Sequence, residues 1–218
     1  MVKFPKLYNP KLAELIGILL GDGCISNSYQ NRIQITLNKS EMAYANYISQ
    51  LIKDLFDKIP IVRPRKNERA LDIQIFNKAI VDFIINKVGM VTSPKWGRAR
   101  IPDSFLNTEL ERFVLRGYFD TDGSVVITNN NGTINPRLEM KICPSPMRNS
   151  LINILKKIGF RFGVYRIDNN MARIQINGKE QGRKWLKEVG IMNYNQLNKL
   201  NKVIAGEGFE PSTYTPNL

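Results

Sequence analysis

Two stretches of this chain, one hundred positions apart, spell nearly the same thing. Leu15–Gly23 reads Leu-Ile-Gly-Ile-Leu-Leu-Gly-Asp-Gly, and Leu115–Gly123 reads Leu-Arg-Gly-Tyr-Phe-Asp-Thr-Asp-Gly. Each is an apolar run with glycine in third place, a small residue in seventh, then Asp-Gly. The runs predict helices, entered near Asn9-Pro10 and near Thr108. Gly23 and Gly123 stand where a helix would end in the left-handed conformation that glycine adopts cheaply. Gly17 with Gly21, and Gly117 with Thr121, are small residues four apart, a spacing that lets two helix backbones approach closely. Such a repeat constrains the chain to two similar halves joined helix to helix.

An aspartate in the last turn of a helix lies at the negative end of the helix dipole, an unfavourable place without a cation. One such residue reads as a turn former. Asp22 and Asp122, at the ends of two helices built to pack together, point instead to a shared metal site. The chain of 218 residues has no histidine, which excludes Ser-His-Asp and Cys-His catalysis and histidine-containing zinc sites. Hydrolysis would rest on carboxylates, lysines and a hard ion such as Mg²⁺. The net charge of +13 is spread over both halves, as expected if both meet one polyanion.

After each motif the same succession follows. In the first half, Cys24–Tyr29 with Arg32–Asn38, and Ile61–Lys66 with Leu71–Phe76, predict strand pairs with alternating faces. The first pair leads through Ser40-Glu41 into an amphipathic helix closed by Pro60, and Asn77–Val88 predicts another helix. The second half gives strands over Ser124–Thr128, Arg137–Cys143, Arg161–Ile167 and Ala172–Asn177, with Asn129–Pro136 as a long polar loop. Its helices are predicted over Met147–Ile158 and Lys179–Val189, with one more over Asn193–Ile204. Ile73-Gln74-Ile75 recurs as Ile174-Gln175-Ile176, an independent sign of duplication. The fold class is therefore α+β: tandem pseudo-symmetric αββαββα repeats, each with a four-stranded antiparallel, saddle-shaped sheet. We divide the chain into a first repeat (1–90), a linker (91–104), a second repeat (105–192) and a C-terminal extension (193–218). Lys95, Trp96, Arg98 and Arg100 of the linker either follow a phosphate backbone or are solvated, with Trp96 tucked against a domain. Gly206–Leu218 carries no periodicity and is expected to be loosely ordered.

Helices on one face of each sheet leave the other free. In the first half that face carries Arg32, Gln34, Thr36, Arg63, Arg65, Asp72 and Gln74; in the second, Arg137, Glu139, Lys141, Arg166, Arg173 and Gln175. Arginine and lysine suit guanine, glutamine suits adenine, and Asp72 or Glu139 suits cytosine as an acceptor. A strand of seven residues spans roughly 23 Å at ~3.3 Å per residue, about seven base pairs at ~3.4 Å per step. Two unlike saddles in tandem would read a long, asymmetric DNA duplex.

The paired motifs resemble those of the LAGLIDADG homing endonucleases of the single-chain, two-motif kind, over residues 10 to about 190. That resemblance implies that Asp22 and Asp122 hold Mg²⁺ over the minor groove at the two scissile phosphates, with the backbone carbonyls of Gly21 and Thr121 as further ligands. Mn²⁺ would substitute, and Ca²⁺ would support binding only. It implies Lys39, with Asn38 beside it, as the basic helper of the first half-site. Pro144-Ser145 departs from that pattern in the second half, where Lys141 is the nearest substitute. Asp120 is assigned a structural or polar-contact role. The resemblance also implies a monomer acting on double-stranded DNA. The chain lacks an N-terminal Cys or Ser and a terminal His-Asn, so it is expected to be free-standing and intron-encoded. Cys24 and Cys143 in a chain without a signal peptide or a membrane-length apolar run predict an intracellular setting, in cytoplasm, nucleoid or organelle matrix. The alternatives are a maturase of the same fold that binds intron RNA, and a regulator that only binds DNA.

Overall fold

The computed structural model describes residues 2–28 and 30–204. The first repeat runs α1 (Pro10–Leu20), β1 (Gly23–Ser26), β2 (Arg32–Asn38), a 3₁₀ turn (Lys39–Glu41), α2 (Met42–Phe56), β3 (Ile61–Pro64), β4 (Ala70–Phe76) and α3 (Lys78–Asp82). The second runs α4 (Glu111–Asp122), β5 (Gly123–Asn130), β6 (Thr133–Ile142), α5 (Pro146–Ile158), β7 (Gly163–Arg166), β8 (Ala172–Asn177) and α6 (Lys179–Glu188), followed by α7 (Tyr194–Ile204). The strands form two antiparallel four-stranded sheets, ordered β1-β2-β4-β3 and β5-β6-β8-β7. This is the expected α+β pair of repeats.

Asn9 starts α1: its side chain accepts from the Lys11 amide at 2.8 Å and the Leu12 amide at 3.2 Å, and Pro10 needs no partner in the first turn. Every residue from Leu12 to Leu20 is buried, so α1 is covered on all sides rather than along one stripe. It packs on α4 with backbone against backbone. A Cβ on Gly17 would lie 2.1 Å from the Val114 carbonyl oxygen; one on Gly117 would lie 2.1 Å from that of Glu14. One on Gly21 would lie 2.1 Å from Thr121 Oγ1. No side chain fits there. In each repeat the alternating strands turn their apolar residues to the core: Ile33, Ile35 and Leu37 of β2 are buried while Arg32, Gln34 and Thr36 keep partial exposure.

Four local expectations change. Gly23 and Gly123 are not left-handed; the Gly123 backbone is extended, at φ −94° and ψ 168°. The constraint there is steric, because the strand doubles back over the helix it leaves. A Cβ on Gly23 would meet the Leu19 carbonyl oxygen at 2.6 Å, and one on Gly123 that of Phe119 at 2.4 Å. The polar loop Asn129–Pro136 is mostly strand: β5 and β6 continue to a two-residue turn at Asn131-Gly132, with φ of 51° and 88°. Two adjacent positive φ values suit the twist of a tight hairpin. The helix expected over Asn77–Val88 is α3 followed by a wider π turn, Phe83–Lys87. The helix expected from Thr108 begins as α4 at Glu111, after Thr108 Oγ1 accepts from the Leu110 amide at 3.1 Å. The segment Gly206–Leu218 lies outside the described residues, as does Tyr29 of the first expected strand. Among the described residues no helix is long and apolar enough to cross a membrane.

Candidate functional site

The glycine contacts between α1 and α4 bring the ends of the two motifs together, and with them Asp22 and Asp122. Asp22 is half-buried and Asp122 exposed, so both can be reached from outside. The surrounding protein nevertheless penalises their charge. Desolvation, then Asp122, then Glu41 raise the Asp22 carboxyl to about 7, against an opposing pull from Lys95. Asp122 is raised as well, by desolvation, with Lys95 and a hydrogen bond from Tyr118 favouring its ionised form. The one Tyr118 hydroxyl proton points to the Lys141 carbonyl at 2.8 Å, so Asp122 at most shares it.

Lys95 comes from the linker. Ser93 hydrogen-bonds β1 through Ile25, its amide donating at 2.9 Å and its hydroxyl accepting at 3.2 Å, and this seats the next turn against the end of α1. The Lys95 ammonium donates to the carbonyls of Leu19 (2.7 Å), Leu20 (2.8 Å) and Gly21 (2.6 Å). It caps the negative end of the helix while facing both carboxylates. Burial lowers its own pKa, opposed by Asp122 and Asp22. Of the other linker residues, Arg98 folds back on the carbonyls of Thr92 and Pro94. Trp96 and Arg100 are exposed.

Asn38 and Lys39 lie just beyond, at the end of β2. The Asn38 side chain accepts from the Ser40 amide at 3.0 Å, and Glu41 returns to the Asn38 amide at 3.1 Å, a reciprocal cap. The Lys39 ammonium donates to the Arg65 carbonyl at 2.7 Å. The charges that act on Asp22 are those of Asp122, Glu41 and Lys95. Glu41 in turn accepts from Asn193 Nδ2 at 2.7 Å, and the same amide reaches the Asp120 carbonyl at 3.0 Å. Asp120 is fully enclosed; its carboxylate accepts from the Met192 amide at 2.8 Å, and burial raises its pKa well above the usual range.

On the open face of the first sheet the side chains are already paired. Asp72, 7% exposed, accepts from Arg65 Nε and Thr36 Oγ1 at 2.8 Å and from Gln34 at 3.2 Å. Burial pushes the Asp72 carboxyl up, but those bonds and the charges of Arg65 and Arg32 outweigh it and hold it below its usual value. Gln74 donates to Gln34 at 2.9 Å, and Arg63 is exposed opposite Asp72 in the register. In the second sheet Glu139, 8% exposed, is ion-paired with Arg137 and lies 3.9 Å from Arg173. It also accepts from Gln175 at 2.9 Å. Lys141 is exposed on the open face. Arg166, expected there, is exposed on the opposite side, because the register sets it against buried Ala172 and gives the open-face place beside Arg173 to Tyr165. Its guanidinium lies on Asn170. Asp72 and Glu139 thus spend their oxygens within the sheet.

A third polar group lies inside the α1–α4 contact. Glu14, 1% exposed, is bonded to Arg116 Nη2 and to the Tyr47 hydroxyl, the latter at 2.8 Å. Sequence reasoning found neither this pair nor Asn193, and it placed Lys95 on a phosphate backbone or in solvent and Glu41 at the start of a helix rather than beside the two acids. Only the departures from the motif, Glu14 and Arg116 in otherwise apolar helices, carry a signal of it in the chain.

A family model described as the LAGLIDADG DNA endonuclease family matches residues 13–183. Among solved structures, the homing endonuclease I-WcaI bound to its DNA recognition sequence has a TM-score of 0.60 at 21% identity, covering 90% of this chain and 88% of that one. I-DmoI in complex with DNA and Mn has a TM-score of 0.57 at 15% identity, with coverage of 83% and 96%. At these identities the likeness is one of fold. Among curated proteins, a replication factor C small subunit of Methanocaldococcus jannaschii is 26% identical over 92% of this chain and 10% of that protein. A DNA polymerase of Thermococcus kodakarensis is 25% identical over 81% of this chain and 10% of that protein. The chain therefore spans about a tenth of those two relatives, and their names do not describe it. With the family model covering both motifs and both sheets, the chain belongs to the LAGLIDADG DNA endonuclease family.

Proposed function

We propose that this protein is a site-specific endonuclease that binds a long, asymmetric DNA duplex as a single chain and hydrolyses both strands with Mg²⁺. The observation that carries this reading is the pair Asp22 and Asp122, delivered together by helices whose separation the glycines fix. The donor set fits a hard cation. Two carboxylates whose burial raises their pKa values, Asp22 further by the charge of Asp122, are relieved by positive charge, and their oxygens suit Mg²⁺. Asp22, Asp122 and the Thr121 carbonyl would hold the ion, which when bound would acidify water and polarise the phosphodiester.

The protein's own groups supply the rest. The α1–α4 contact fixes the two acids, and the Tyr118 hydroxyl favours the ionised form of Asp122 against the larger effect of its burial. The resemblance assigns the helper role to Lys39 and Asn38; the electrostatics favour Lys95, which acts on both carboxylates, while Lys39 is drawn to the Arg65 carbonyl. Arg63 and Lys141, exposed on the open faces, suit direct contact with phosphate or base edges.

The test selects cleaved sites from a randomised duplex library, then compares cutting in Mg²⁺ with gel-shift binding in Ca²⁺. Native protein is expected to cut one long asymmetric sequence in Mg²⁺ and to bind it without efficient cutting in Ca²⁺. Binding of structured RNA with no DNA cleavage in any divalent ion would favour the maturase reading instead.

A further inference from the structure

The ends of α1 and α4 correspond through the repeat, yet different groups sit on their carbonyls. On α4 the donor is a neutral amide, Asn193 Nδ2, at 3.0 Å from the Asp120 carbonyl. On α1 it is the Lys95 ammonium, which bonds the corresponding Leu20 carbonyl and those on either side. An ammonium has three protons, and Lys95 commits all three to one turn of helix.

One of those carbonyls belongs to Gly21, the residue before Asp22. An oxygen 2.6 Å from an ammonium nitrogen cannot also coordinate a divalent ion without bringing two cations into near contact. The Gly21 carbonyl therefore does not fit the ligand role that the Thr121 carbonyl does. We propose that Lys95 is the built-in cation of the first half-site: it closes the Gly21 carbonyl to metal, so that a divalent ion binds first at the Asp122 end. Lys95 is a positioning residue in this arrangement, tying the linker to α1 and making the two half-sites unequal toward metal. The inference rests on the aspartate pair being the metal centre.

The test counts Mn²⁺ bound to the full chain by titration with electron paramagnetic resonance detection of free ion. Native protein is expected to bind one ion tightly. Lys95→Met, which keeps a similar length without the charge, should take up a second ion at least ~10-fold more tightly than native protein does. Two ions of equal affinity in native protein, or no change in Lys95→Met, would overturn the proposal. If Lys95→Met does not fold, Lys95→Gln decides, because a neutral amide can still donate to carbonyls of α1 without placing a positive charge beside the metal site. It too should admit the second ion, and unchanged binding counts against the idea. Asp122→Asn separates the two readings: it should abolish the tight ion. If native protein binds no Mn²⁺ at all, the metal centre itself is misassigned.

Discussion

The two repeats agree where helix backbone meets helix backbone and diverge in many of the side chains around that contact. Gly17 packs on Val114 and Tyr118, while Gly117 packs on Glu14 and Ile18, so each contact is the image of the other. Around that shared axis the chemistry diverges. Lys95 stands on the end of α1 where Asn193 stands on the end of α4. In matching rows of the sheets, Thr36–Asp72–Arg63 faces Lys141–Arg173–Tyr165. The first row centres on a carboxylate and the second on two cations. Symmetry is held where there is no side chain to vary, which suits delivering two like acids. It is broken on the surfaces, which suits reading an uneven sequence.

The comparison can be broken most sharply at the acids. Asp22→Asn and Asp122→Asn should each lower cleavage by about 10³-fold or more while leaving Ca²⁺-supported DNA binding nearly intact, since affinity comes from phosphate contacts across both sheets. Strand-resolved cleavage assays measure this, and a large effect from only one of the two would show that the half-sites are not both used. Arg116→Met should come next. It leaves Glu14 charged and unpaired inside the α1–α4 contact, at a cost of ~3–5 kcal/mol in chemical denaturation. Adding Glu14→Met should recover much of it, which would mark the pair as replaceable by good apolar packing.

Smaller losses should follow from the shared contact. Gly17→Ala and Gly117→Ala each force a methyl 2.1 Å from a carbonyl oxygen, and each should cost at least ~1–3 kcal/mol by the same measurement. Equal losses would sharpen the symmetry; a difference would place the yielding side of the interface. The least effect expected is that of pH on the metal-free protein. Asp22 rises from 3.8 to about 7 on folding, so the folded state holds its proton longer than the unfolded one. Its contribution to stability is full below the unfolded value and is lost as pH rises through about 7. Half exposure mutes the effect. In chelator, native protein should melt a few degrees higher at pH 5 than at pH 8. Asp22→Asn should flatten part of that slope, and an unchanged slope would assign it to other buried acids such as Asp120.

Much of the fold is legible because its signals are local. The alternation in Arg32–Asn38 and Ala172–Asn177 places each strand without reference to the rest of the chain. The recurring Ile-Gln-Ile anticipates a real correspondence: Gln74 pairs with Gln34 in register as Gln175 pairs with Glu139. Asn131-Gly132 is also a local signal, and a polar run around it hides the hairpin. The site is less legible because its parts meet only through tertiary contacts. Lys95 sits in a linker without periodicity, and nothing in its neighbours reveals that three carbonyls await it. Asp72 and Glu139 look like base acceptors in the sequence. Only the strand register brings Arg65 and Thr36 to one, and Arg137 and Gln175 to the other.

The ion pair inside the helix contact decides which surfaces may meet at all. Glu14 corresponds to Val114 through the repeat, and Arg116 to Ile16. Two copies of the first repeat, joined in the same way, would enclose two Glu14 carboxylates with Ile16 where each needs an arginine. Two copies of the second would enclose two Arg116 side chains facing Val114. Each half is therefore a stranger to its own likeness and accepts only the other, although the glycines would let any two such helices touch. Two side chains thus make exclusive a pairing that the glycines alone would leave interchangeable.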